Sequence, residues 1–218
     1  MAERYFILDK FNTWYDWHLL VSEKSVAPAE PKTNLVEIDG MSGSLDLSES
    51  LTGEVVYKDR VVSAKFWTDY GKRSDRVSLL QDIIIALHGR KIKIVEPDDP
   101  DHYFYGRVVV TPGVNNLAYM EFTIEAVCEP WKYAHENTVR TIEMNKTVTG
   151  VVIHNHGRKT VSPVIMVDGE VNIKSGDIDA TISSGTYTIA DLKLYHGVNT
   201  IGVSGTGTVS FIYQEADL

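Results

Sequence analysis

Tyr103-Phe104-Tyr105-Gly106-Arg107-Val108-Val109-Val110 and, after a short polar break, Leu117-Ala118-Tyr119-Met120-Glu121-Phe122-Thr123-Ile124-Glu125-Ala126-Val127 set the fold class. In the second run Met120, Phe122, Ile124 and Ala126 alternate with Glu121, Thr123 and Glu125, the period of a strand with one buried face. Between the two runs lie Thr111-Pro112-Gly113 and Asn115-Asn116. These residue types close turns, so the pair reads as two antiparallel strands joined by a long hairpin end.

The same texture extends in both directions. Tyr5 to Leu8, Val55 to Tyr57, Val61 to Trp67 and Lys91 to Val95 are further strand candidates, enriched in β-branched and aromatic residues. Tyr57-Lys58-Asp59-Arg60 reads as a tight hairpin and Asp98-Asp99-Pro100-Asp101 as a turn. One segment departs from period two. Val77, Leu80, Ile84 and Leu87 recur at helical spacing, with Ser74 or Asp75 as N-cap, His88 in the last turn and Gly89 as the stop. Its apolar stripe is a packing face.

After Cys128-Glu129-Pro130-Trp131 the composition shifts. Gly and Thr rise, Trp disappears, and short strands follow at Val139 to Met144, Val151 to His154, Val164 to Val167, Val171 to Lys174, Ile178 to Ile182, Tyr187 to Ile189, Asn199 to Val203 and Val209 to Tyr213. A boundary near 132 to 138 gives two domains, residues 1–134 and 135–218, the second a small β-sandwich. The fold class expected is mainly β with one helix.

The chain has 218 residues and mass 24.4 kDa, with 43% hydrophobic and 23% charged residues. That is enough to build a core without staples. The formal charge of -9 argues against a global basic surface for a polyanion. Fifteen basic against 21 acidic residues up to position 134, and six against nine beyond it, leave both parts acidic. Cys128, the lone cysteine, rules out an intrachain disulfide and a multi-thiolate zinc site; it reads as a small buried hydrophobe. Met-Ala-Glu-Arg leads straight into the first strand candidate without a secretory signal, and the longest apolar run, Ile83 to Leu87, is far short of a membrane span.

No pattern reads as a catalytic centre. His154-Asn155-His156 places two histidines on one strand face, a transition-metal geometry lacking a third ligand, with Gly157-Arg158-Lys159 as a solvated turn. The acidic run Glu96 to Asp101 lacks the spacing of a calcium loop and reads as a polar hairpin. No Gly-x-Ser-x-Gly elbow marks a nucleophile and no phosphate loop is present; Gly205-Thr206-Gly207 reads as a hairpin between strands. The expectation is therefore no enzyme, no cofactor and no metal.

A resemblance carries the reading further. Ile38-Asp39-Gly40, then Gly43-Ser44-Leu45-Asp46-Leu47-Ser48-Glu49-Ser50-Leu51-Thr52-Gly53, then Val56-Tyr57-Lys58-Asp59-Arg60 resemble the distal tail protein family of siphovirus-type phages and prophages. Leu87-His88-Gly89-Arg90-Lys91, Asp98-Asp99-Pro100, Tyr103 to Arg107 and Cys128-Glu129-Pro130-Trp131 follow in that family's order. Asn155-His156-Gly157, Val161 to Gly169, and Leu192 to Gly205 with its Gly197-Val198-Asn199 turn continue the likeness through the C-terminal part. Each motif alone is a generic turn, so the specificity lies in the joint order.

The resemblance implies a virion structural protein, a hexameric ring or baseplate hub at the tail tip, built by ring-forming N-terminal domains with galectin-like C-terminal sandwiches at its periphery. It implies as partners other copies of the chain, the tail tube protein and the tail-associated tip protein, with DNA passing through and no membrane insertion. Synthesis is then in the host bacterial cytoplasm. Ring closure pairs exposed sheet edges, and an acidic lumen would repel phosphates.

Of 21 aromatics, 17 lie in residues 1–134; Trp14, Trp17 and Trp67 are candidates for subunit contacts or for the core. The alternative is a carbohydrate-binding module for host-surface attachment, with Tyr187 and Tyr195 as stacking candidates, although the second part has no Trp. A wall-degrading hydrolase would need a carboxylate pair across a cleft, and no pair stands out.

Overall fold

A computed structural model describes residues 5–218, with side chains throughout except at 145–149. Met1 to Arg4, expected to lead into the first strand, lie outside the described residues. The fold is mainly β, with a single α-helix among those residues. Contacts divide the chain into two compact units, 1–132 and 133–217, with Leu218 grouped with the first.

The first unit contains one long sheet of seven strands: β1 (Ile7–Leu8), β2 (Phe11–Asn12), β3 (Leu20–Val26), β6 (Arg60–Thr68), β7 (Lys91–Glu96), β8 (Asp99–Asn115) and β9 (Met120–Ala134), with β4 (Leu35–Glu37) and β5 (Ser44–Asp46) standing apart as a two-stranded hairpin. The order is β2-β1-β7-β8-β9-β6-β3. The opening motif carries the core. Met120, Phe122, Ile124 and Ala126 all point inward, and lie opposite Thr68, Phe66, Ala64 and Val62 of β6. Phe66 and Phe122 stack with ring centroids 5.9 Å apart. Each fully buried side chain of this size contributes about 1.5–3 kcal/mol through the apolar area it withdraws from water.

The helix α1 (Arg73–Leu87) starts one residue before Ser74. Lys72 occupies the N-cap position and Asp75 closes the first turn by accepting from the Lys72 backbone N–H. Gly89, at φ 76°, ends it as expected. Ile83 and Leu87 are fully buried, with Leu79, Leu80 and Ile84 packed against the same core. Val77 is exposed and Arg76 is buried in its place. Arg76 is accommodated because its guanidinium donates to the carbonyls of Gly71, Asn116 and Leu117, tying the helix start to the β8–β9 turn.

Four local expectations fail here. Val55 to Tyr57 is no regular strand and Tyr57 to Arg60 no hairpin: Tyr57 bridges Pro31, Lys58 N–H donates to Glu30, and Arg60 begins β6. The β8–β9 turn lies at Asn116 to Tyr119, so Thr111, Pro112 and Gly113 remain inside β8. Asp99 likewise belongs to β8, and the tight turn before it falls on Pro97 and Asp98.

In the second unit the eight short strands expected are four long ones. They are β10 (Thr138–Asn155), β11 (Val164–Ser175), β12 (Ile178–Thr188) and β13 (Gly197–Tyr213), antiparallel in the order β10-β13-β11-β12. Register shifts between Val148 and Val151 and between Val167 and Glu170 bend them. Ile165 and Val167 before one bend share a buried cluster with Val171 and Ile173 after it. The sheet therefore doubles over one core, and this produces the sandwich.

Gly205 and Gly207 are not a hairpin but part of β13, at φ 133° and 111°. A Cβ at Gly207 would stand 1.9 Å from the Asp168 carbonyl oxygen; only glycine permits that approach. A short strand β14 (Ala216–Asp217) pairs with the end of β9.

Candidate assembly surface

Between β3 and β6 the chain leaves the body of the first unit as an arm. Its base is held at three places. Pro31 bridges Tyr57, Lys32 N–H donates to Val56 O, and Lys58 N–H donates to Glu30 O, the last two at 2.7 Å. Farther out, Leu35, Val36 and Glu37 pair with Asp46, Leu45 and Ser44. Gly40 and Gly43, both at φ 85°, take the backbone around the tip. Ser48 then fastens the return. Its Oγ accepts from Asn34 N–H, while its own N–H and hydroxyl donate to Asp46, holding that carboxyl below the usual carboxylate range.

Every residue from Pro31 to Asp46 is exposed. Leu35, Val36, Ile38, Met41, Leu45 and Val55 are among them or beside them in the arm, and Leu51 is 96% exposed. A two-stranded hairpin has no face to bury against itself and is marginal in water when alone. Apolar side chains collected on such an element mark an interaction surface. The arm also carries Glu30, Glu37, Asp39, Asp46, Glu49 and Glu54 against Lys32 and Lys58, so it presents apolar side chains in an acidic setting. The sequence signal for it was a serine- and glycine-rich run of 25 or so residues with strand-like pieces and no apolar partner strand nearby, which propensity alone does not interpret.

The other residues singled out from sequence disperse. Trp17 is buried and stacks on Phe11 at 4.8 Å, whereas Trp14 and Trp67 are half-buried. Tyr187 covers Gly185, where an added Cβ would lie 3.1 Å from its ring, while Tyr195 is exposed. His154 and His156 stack in parallel with centroids 5.9 Å apart. Gly157 in the turn after them is buried rather than solvated, because Ala216 backbone passes within 2.5 Å of where its Cβ would be. No group of three or more metal-ligating side chains occurs among the described residues.

Glu96, Asp98 and Asp99 of the acidic run are each taken by a cation. Lys24 binds Glu96 at 2.8 Å and Asp98 at 2.5 Å; Asp99 binds His102 and Lys132, both at 2.7 Å. Burial tends to raise the Asp99 pKa, but the hydrogen bonds from Lys132 and His102 outweigh it and hold the group below its ordinary value. Cys128 is fully buried, and burial pushes its thiol up to about 12. Such a thiol is inert.

No protein-family model matches the chain, and no curated protein matches it either. Its fold does have a counterpart among solved structures, in a component of a phage adsorption apparatus. That component is the Dit (gp 19.1) protein of phage SPP1, whose crystal structure is described as a paradigm of the hub adsorption apparatus in phages infecting Gram-positive bacteria. The two chains superpose with a TM-score of 0.73 over 99% of each, at 16% sequence identity. At that identity the likeness is one of fold.

Proposed function

We propose that this chain is a structural hub protein of a phage tail tip, acting as a hexameric ring between the tail tube and the tail-associated tip protein. The observation that carries the reading is the coverage of the likeness to the SPP1 hub protein: both units, in the same order, over 99% of both chains. A shared sandwich alone would support many roles. A likeness that runs through both units of the chain is a more restrictive observation.

The arm supports the same role. It holds apolar side chains away from the core of their own unit, and another copy of the chain is the partner that ring closure supplies. The role is mechanical rather than catalytic. Six copies enclose a passage, and a chain of net charge -9 gives DNA phosphates no net attraction as they go through. The virion tail tip is the corresponding location.

Light scattering after size exclusion, over a range of loading concentrations, tests the reading. A mass near six times the 24.4 kDa chain is the expected result. A strict monomer up to the highest concentration counts against self-assembly into a ring.

A further inference from the structure

The first unit displays a second group of apolar rings, independent of the arm. Asn12 and Asp16 fix the loop that bears it. Asn12 Oδ1 accepts from the N–H groups of Trp14 and Tyr15, both at 3.0 Å, while Asp16 Oδ2 accepts from Asn12 N–H at 2.7 Å. The loop closes when His18 N–H donates to Trp14 O and Leu19 N–H donates to Thr13 O. Closure forces His18 to φ 52°, a left-handed conformation uncommon outside glycine. In that pose Trp17 and Leu19 enter the core, Tyr15 and His18 face outward, and Trp14 stays half-buried. The His18 ring stacks on Tyr70 at 4.5 Å and meets Trp14 edge-on at 6.1 Å. Tyr70 is itself 57% exposed.

We infer that the Trp14–His18–Tyr70 platform is a binding site for a saccharide unit. The loop hydrogen bonds hold the His18 ring at the surface against both Trp14 and Tyr70, and neither His18 nor Tyr70 belongs to the buried core; a left-handed residue held in place by its surroundings is a pointer to function. The rings are flat and apolar, with polar N–H and O–H tips, matching the alternation of C–H faces and hydroxyl edges on a sugar ring. Their chain neighbours Asp16 and Asp69 are exposed carboxylates, acceptors for sugar hydroxyls. A protein partner would favour an apolar surround. Among the described residues of the second unit, Tyr187 packs on Gly185 and Tyr195 stands exposed apart from it. This inference does not rest on the ring assembly.

The test uses the full chain and saturation-transfer NMR with oligosaccharides of glucose, galactose, rhamnose and N-acetylglucosamine, followed by calorimetric titration of the best binder. At least one is expected to bind. Trp14→Ala and Tyr70→Ala should weaken it tenfold or more, and His18→Gly should do the same with unchanged melting, because glycine adopts φ 52° freely. No binding by any of these sugars at millimolar concentration overturns the site. So does binding that all three variants retain. A change in oligomeric mass without any sugar binding would mean that the platform is a subunit contact, and the inference fails.

Discussion

Arg60 donates from Nε to the carbonyl of Ala27 at 2.8 Å, linking the first residue of β6 to the segment where β3 gives way to the arm. Its Nη1 donates to Pro130 O at 3.2 Å, and the guanidinium lies over the Phe104 ring at 5.0 Å. Burial pulls the group below its ordinary pKa, yet it stays charged. Replacing Arg60 by Ala leaves the Ala27 and Pro130 carbonyls without this donor and empties the buried space over Phe104. The expected loss is about 2–4 kcal/mol, read by urea denaturation. Arg60→Lys should recover little, since an ammonium cannot span both carbonyls. Unchanged stability in Arg60→Ala would remove the claim that this side chain pins the base of the arm.

Gly106 and Cys128 meet across β8 and β9. A Cβ at Gly106 would lie 2.4 Å from Cys128 Sγ and 2.7 Å from Val127 O. Gly106→Ala should therefore destabilise the protein by about 2–4 kcal/mol. Adding Cys128→Ala should restore only part of this, because the carbonyl contact persists. The thiol, held near 12 by burial, should resist an aromatic disulfide reagent at pH 8 in the native state and react at once in denaturant. Prompt native labelling would contradict the burial described for it.

Much of the fold was legible because the decisive strands have only one apolar face. Phe122, Ile124 and Ala126 announce both the strand and the side on which it is buried, and β6 repeats the signal through Val62, Ala64 and Phe66. The strand β3 was missed. Its sequence, Leu-Val-Ser-Glu-Lys-Ser-Val, is that of a sheet edge, polar where the partner strand is absent. In the second unit Gly205 and Gly207 suggest a turn by composition; they serve instead to let β13 approach β11, a contact between residues about 35 apart in sequence that local pattern does not encode. The arm was visible only through the motif order of Ile38 to Arg60. Nothing in Asn12 to His18 announces that the His18 ring stacks on Tyr70, because Tyr70 arrives from a different strand end.

Asp99 sets an acid dependence. Its pKa lies below the unfolded carboxylate value of about 4 because Lys132 and His102 bind the charged form more than burial penalises it. A depressed carboxylate stabilises the fold fully above the unfolded pKa, and the contribution disappears as pH falls through the folded value. Stability measured from pH 7 down to pH 2 should decline across that interval, and Asp99→Asn should flatten the decline while lowering stability at pH 7 by about 1–2 kcal/mol. An identical acid slope in the variant would mean that other carboxylates govern the transition.

Leu51, 96% exposed, and the cross-strand pair Val36 and Leu45 separate folding from assembly. None of the three belongs to either buried cluster, so Leu51→Asp and the double change Val36→Ser, Leu45→Ser should leave monomer stability within about 0.5 kcal/mol. Assembly responds differently if a second copy covers the arm. Placing a carboxylate where Leu51 is desolvated would cost several kcal/mol per contact, and in a ring every subunit contact carries the same defect. The expected outcome is a mass that drops toward one copy at loading concentrations where the unmodified chain assembles, with unchanged melting of the individual chain. Retained assembly in both variants would mean that the arm's apolar side chains serve no contact between copies.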